Sequence, residues 1–132
     1  MSRGFHLSTR IDEARKLIIF AVSGQIGSTA LTDRLIAAYS GIEAPWTYDR
    51  LFDYRRSEGV VHFDEIRRLA AWWQDRTGGV SYHSRVAVIV TNPFDQARVH
   101  IVSELFPNET RGSFFTLDEA LDWLDHTRNA AA

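Results

Sequence analysis

A chain of 132 residues, 45% hydrophobic and 24% charged, has the length and balance of one globular domain and not of a disordered tail. With 15 basic against 17 acidic residues the formal net charge is −2, so no positive field gathers phosphates and nucleic acid is not an expected partner. The absence of cysteine excludes disulfides, thiolate metal sites and cysteine nucleophiles, and fits a reducing compartment, with the cytoplasm as the expected location.

Taken in order, Phe5, Leu7, Thr9 and Ile11 alternate with His6, Ser8 and Arg10, the period of a strand with one wet face. Leu17 to Val22 is apolar on both faces and reads as an interior strand, antiparallel to the first through a hairpin. It is too short to span a bilayer and too far from the start to be a signal peptide, so no membrane span is expected. Gly24 to Thr29 is a turn in which Ser28 or Thr29 can cap a helix with the buried stripe Leu31, Leu35, Ala38 and Tyr39.

Gly41 and Pro45 end that helix, and Trp46, Tyr48 and Phe52 share one face of a strand running to about Asp53. A polar loop, Arg55 to Val61, leads to a helix with Phe63, Ile66, Leu69, Ala70 and Trp73 turned inward, stopped at Thr77-Gly78-Gly79. Val86 to Val90 is a second central strand. Asn92-Pro93-Phe94-Asp95 has the cap, first-turn proline and acidic residue of a helix start, and the helix runs through Phe94, Ala97, Ile101, Val102 and Leu105. Gly112 to Phe115 gives a last strand after the Pro107-Asn108 break. Thr116-Leu117-Asp118-Glu119 is a capping box opening a helix on Leu117, Ala120, Leu121 and Leu124, and Asn129 to Ala132 frays. The expected fold is an α/β single-domain sandwich over residues 1–132, a mostly parallel five-stranded sheet with an antiparallel N-terminal strand and about four helices.

The strand end Val22-Ser23-Gly24, the segment Leu51-Phe52-Asp53-Tyr54-Arg55, the strand Arg85 to Val90 followed by Phe94-Asp95-Gln96-Ala97-Arg98, and the ending Phe114-Phe115-Thr116-Leu117-Asp118-Glu119-Ala120-Leu121-Asp122-Trp123-Leu124 resemble the SpoIIAA-like (STAS-like) family of small bacterial proteins. The resemblance implies a fold shared with anti-sigma-factor antagonists, which bind a protein partner, and with CRAL-TRIO-type carriers, which hold an apolar ligand. In the antagonists a phosphorylated serine opens the helix after the strand that Leu51 to Asp53 matches. Here the corresponding loop has Ser57, several residues before the helix, and lacks the Asp-Ser-Ser-Gly type of signature.

Ligands of open parallel sheets meet the loops at the strands' carboxyl ends, here Gly24 to Thr29, Asp53 to Val61 and Thr91 to Asp95. The first is either an anion site or a tight turn with a helix cap; it has neither a P-loop lysine nor a dinucleotide fingerprint. Arg55 and Arg56 beside Asp53 either clamp an anion or form surface ion pairs, and Asn92 either lines a pocket or caps its helix. Trp72, displaced about 100° from inward-facing Trp73, either serves an interface or packs over the sheet edge or under Tyr82. The five histidines lack metal-site spacing and nothing resembles a nucleophile elbow, so neither a metal, a cofactor nor catalysis is expected.

The binding candidates are therefore Asp53, Arg55, Arg56, Ser57, Asn92 and Trp72. The leading reading is a non-catalytic regulatory module that binds a protein partner or itself, and the alternative is a carrier of a small apolar or anionic ligand. A pocket lined by Trp46, Tyr48 and Trp73 would favour the carrier.

Overall fold

The computed structural model describes residues 4–131, with side chains described as far as His126. The chain runs β1 (Phe5–Asp12), β2 (Leu17–Gln25), α1 (Ser28–Ser40), a short 3-10 turn (Pro45–Thr47), β3 (Asp49–Glu58), α2 (Phe63–Thr77), β4 (Ser84–Ile89), α3 (Pro93–Ser103), β5 (Glu109–Phe114) and α4 (Leu117–Ala131). The expected order of elements is thus found throughout; of the stretch Asn129 to Ala132 expected to fray, residues 129–131 instead continue α4, and Ala132 lies outside the described residues.

The five strands form one sheet in the order β1-β2-β3-β4-β5, with β1 antiparallel to β2 and every other pair parallel. Strands added one after another in a single direction carry their crossover helices on the same face. Accordingly, Leu31, Leu35 and Tyr39 of α1, Ala70 and Trp73 of α2 and Val99 of α3 share one core with Ile18, Phe20, Phe52, Val86 and Val88. Helix α4 alone covers the opposite face, where Ala120 and Leu124 meet Leu17, Leu51, Ala87 and Ile89. The alternation Ile18/Phe20 against Leu17, and Val86/Val88 against Ala87/Ile89, is the strand period assigning successive side chains to the two layers.

Several boundaries differ from the sequence reading: β2 runs on to Gln25 into the expected turn, α3 stops at Ser103 short of Leu105, and β4 spans Ser84–Ile89, while the ends of β3 and the start of β5 differ for a physical reason. Trp46 lies on the 3-10 turn and Tyr48 precedes β3, so neither belongs to that strand. Beyond Asp53, β3 continues through Arg55, Arg56 and Ser57 to Glu58, because its parallel ladder with β2 continues to the pair Gln25–Glu58. That polar segment has no apolar period to mark it as a strand. Likewise β5 begins at Glu109, held by pairing with Ser84, three residues before the glycine from which it was expected.

The ladder between β2 and β3 shifts register between Ala21 and Ser23, where Tyr54 and Arg55 together oppose Val22. An extra residue of this kind switches which side chains face each layer. Before the bulge Arg50, Phe52 and Tyr54 face the three-helix layer; after it, Ser57 does. On α3 the inward residue is Val99, with Val102 and Leu105 packed beside it, whereas Phe94 and Ile101 are 85% and 56% exposed.

Candidate functional site

The bulged strand and the three helices that share its face enclose a cavity of about 160 Å³. Leu35, Phe52, Val88, Val99, Val102 and Phe106 are among its apolar walls, contributed by α1, β3, β4, α3 and the segment after α3. Its solvent-facing lining residues, among them Gly59, Val60 and Thr91, lie at the carboxyl ends of β3 and β4. All three loops expected to meet a ligand reach this rim, through Ile26, through Gly59 to Val61, and through Thr91 and Asp95.

The rim is pinned by Ser28. Its hydroxyl donates to the Val60 carbonyl at 3.2 Å and accepts from the His62 amide at 2.8 Å, joining the first turn of α1 to the segment between β3 and α2. The cap of α1 is Gly27 without a side-chain cap bond, so Ser28 serves the rim where a capping role was expected. Gly59 has φ +89, a left-handed conformation that a side chain would strain, and an added Cβ would stand 3.0 Å from Gln25 Nε2. From α3, an Arg98 guanidinium nitrogen also donates to the Val61 carbonyl.

At the other end, near the start of the strands, the cavity is floored by Arg50, Glu109 and Arg111. Arg50 and Arg111 stand in one row of the sheet, each paired with Val86 between them, which separates their backbones by roughly 10 Å at the usual strand spacing. Glu109 bridges them: Oε2 lies 2.5 Å from Arg50 Nη2 and Oε1 lies 3.0 Å from Arg111 Nη2. Glu109 and Arg50 side chains are 1% and 2% exposed, and that of Arg111 is 10% exposed.

Such charges are costly to bury unless compensated. Arg50 is amply compensated, donating to the carbonyls of Pro45 and Tyr48 and to the Ser84 hydroxyl and lying 4.7 Å over Trp73. Arg111 is not. It lies 4.4 Å over Phe106, but its Nε has no hydrogen-bond partner, the sole such buried side-chain atom among the described residues. An orphaned buried donor costs about 1–3 kcal/mol, more beside a charge. Burial pushes the Arg111 guanidinium below the usual arginine range, with Glu109 opposing and Arg50 adding to the shift. The floor holds two cations and one anion, an excess of one positive charge. Burial also pushes the Tyr54 phenol up to about 12, the nearby Arg111 acting against it.

The expected site residues fall in different places. Ser57 lines the cavity, and its hydroxyl donates to the Tyr54 carbonyl at 2.8 Å. It stands on β3, six positions before the first residue of α2, away from the helix start that carries the serine in the antagonists. Asp53 and Arg55 form an exposed pair of their own, with Arg55 Nη2 2.7 Å from Asp53 Oδ2. Partial burial disfavours the Asp53 anion, and the hydrogen bonds and charge of Arg55 outweigh this to hold its carboxyl below the usual aspartate value. Arg56 is exposed on the same strand. Asn92 caps α3, accepting from the Asp95 amide at 2.9 Å, and Trp72 is half-buried, stacked on Tyr39 at 6.3 Å with Arg76 5.5 Å above it.

Of the three aromatic residues expected to line a pocket, Trp73 does so. Trp46 and Tyr48 do not: the Tyr48 hydroxyl donates to Glu13 and its ring lies beneath Lys16, near the β1–β2 turn. The sequence reading missed Arg50, Glu109 and Arg111. The available signal was Glu109-Thr110-Arg111 itself, since charges two apart on a strand share a face and this face is a core. Among the described residues no cluster of three potential metal ligands occurs, and no helix is long and apolar enough to cross a membrane.

No family model matches the chain, and no curated protein matches its sequence. Solved structures do match it in shape. An uncharacterised protein of the DUF3478 family with a SpoIIAA-like fold, from Shewanella loihica PV-4, superposes with a TM-score of 0.60 at 19% identity, covering 92% of this chain and 94% of that one. An anti-sigma factor antagonist from Mycobacterium paratuberculosis superposes with a TM-score of 0.57 at 17% identity, over 95% of this chain and 97% of that one. The chain therefore has the SpoIIAA-like α/β fold over nearly its whole length.

Proposed function

We propose that this chain is a non-catalytic binding module that holds a small amphiphilic ligand between its sheet and α1, α2 and α3. The observation that carries the reading is the cavity itself, apolar along its walls and closed at one end by a charged floor that the protein does not fully satisfy. Concave apolar sites with a few convergent polar groups are where small ligands bind. Its volume of about 160 Å³ sets the scale. A cavity of about 150 Å³ encloses benzene, so two acyl chains of a phospholipid have no room inside. Catalysis draws no support from the titratable groups near Asp53, whose carboxylate is taken up by Arg55.

Calorimetric titration with a panel of benzene-sized and six-carbon compounds tests the proposal. One-to-one binding is expected for at least one of them, with loss of that binding when Val99→Phe fills the cavity in a variant whose circular dichroism is unchanged. Failure of the whole panel contradicts the reading.

A second reading, action through a protein partner or a second copy, is supported by the fold shared with an anti-sigma factor antagonist and by exposed Phe94 and Ile101 on α3. Sedimentation over a range of concentrations tests self-association. Assembly lost on Phe94→Asp supports it, and a monomer at every concentration opposes it.

A further inference from the structure

Resting on the reading of the cavity as a ligand site, we propose that its ligand is a small monocarboxylate, bound with the acid group inward against Arg111 and the tail toward Val90. Arg111 has a donor, Nε, that nothing in the protein answers, and it shares its one counter-anion, Glu109, with Arg50. Glu109 takes Arg50 on Oε2 and Arg111 Nη2 on Oε1, and Arg111 Nε is left without a partner. A guanidinium edge and a carboxylate match as paired donors and paired oxygens.

Charge balance narrows the class further. The floor has a single surplus positive charge, which one carboxylate neutralises, whereas a phosphate monoester at about −1.5 to −2 would leave surplus negative charge in a buried place. Orientation follows from the sheet. Arg111 is in register with Val86, and Val90, which also lines the cavity, is four residues farther toward the rim, just past the end of β4, roughly 13 Å at the rise of a strand. The path between them is walled by Phe52, Val88, Val99 and Val102, suited to a phenyl or short alkyl tail. Arg98, the cation at the rim, donates to the Val61 carbonyl and, unlike Arg111, has no buried nitrogen left without a partner.

The experiment is calorimetric titration of the full chain with sodium benzoate and sodium hexanoate, against benzamide and toluene, for the wild type, Arg111→Met and the surface control Arg10→Met. The acids should bind one-to-one and at least about 30-fold more tightly than benzamide, as expected for a desolvated charge pair. Arg111→Met should erase that preference while Arg10→Met keeps it. Toluene or benzamide binding as tightly as benzoate overturns the acid assignment and leaves the cavity reading standing. Binding of none of the four overturns both. If Arg111→Met fails to fold, the comparison of benzoate with benzamide on the wild type decides the question alone; undiminished benzoate binding by a folded Arg111→Met overturns the proposal.

Discussion

Arg50 and Arg111 lie in one row of the sheet, with one strand between them, and divide the two oxygens of the Glu109 carboxylate between them. Like charges that close in a buried place are held by the anion between them. Replacing Glu109 by Gln keeps the shape and removes that anion, leaving two buried guanidinium groups without a counter-anion. Breaking a buried pair in this way costs about 3–5 kcal/mol. Urea denaturation of Glu109→Gln should show a lower midpoint by a corresponding amount, and a midpoint unchanged from wild type would mean that the bridge contributes nothing.

Ser28 is expected to matter for the rim more than for its helix. Ser28→Ala removes a donor to Val60 and an acceptor for the His62 amide together, while α1 keeps its cap at Gly27. The loss should be about 1–2 kcal/mol. Hydrogen exchange should speed up at the His62 amide with little change inside α1. Faster exchange throughout α1 would point to a capping role instead.

Tyr54 gives a pH dependence in the alkaline range. Its folded value is raised to about 12, against a usual tyrosine value of 10.0. The unfolded chain therefore releases this proton first. Its contribution to stability is complete below the unfolded value and declines as pH rises from there through the folded value. Tyr54→Phe should flatten that decline in denaturant midpoints measured across the interval. It should also remove a phenolate absorbance step near pH 12. An equal alkaline decline in both proteins would contradict the assignment.

The exposed pair Asp53–Arg55 is expected to be a minor contributor. Arg55→Ala should cost at most about 1 kcal/mol, and less in added salt. Because the folded Asp53 value is lowered, the contribution is present above the usual aspartate range and disappears as pH falls through the folded value. A loss as large in acid as at neutral pH would show that Arg55 acts by packing.

The order of elements was legible because Leu17 to Val22 and Val86 to Val90 are unbroken apolar runs, and because Asn92-Pro93 and Thr116 to Glu119 announce helix starts that the hydrogen bonds at Asp95 and Glu119 realise. The rim was legible for a related reason: parallel strands place their outgoing loops together. The floor was not. Arg50, Glu109 and Arg111 look like solvent-facing residues in a one-dimensional reading; the two-residue spacing puts Glu109 and Arg111 on one face, and the register that sets Val86 between two arginines brings that face inside. The bulge opposite Val22 is equally silent in sequence, yet it turns Ser57 toward the cavity and leaves Asp53 and Arg55 paired beside it.

The most direct measurement is a methyl-resolved NMR titration of the full chain with benzoate. Binding in the cavity predicts saturable shifts concentrated at the methyl groups of Leu35, Val88, Val90, Val99 and Val102, with those of Leu17, Leu51 and Leu124 on the α4 face unmoved. Shifts confined to exposed residues such as Ile101, or no shifts at all, would contradict the account.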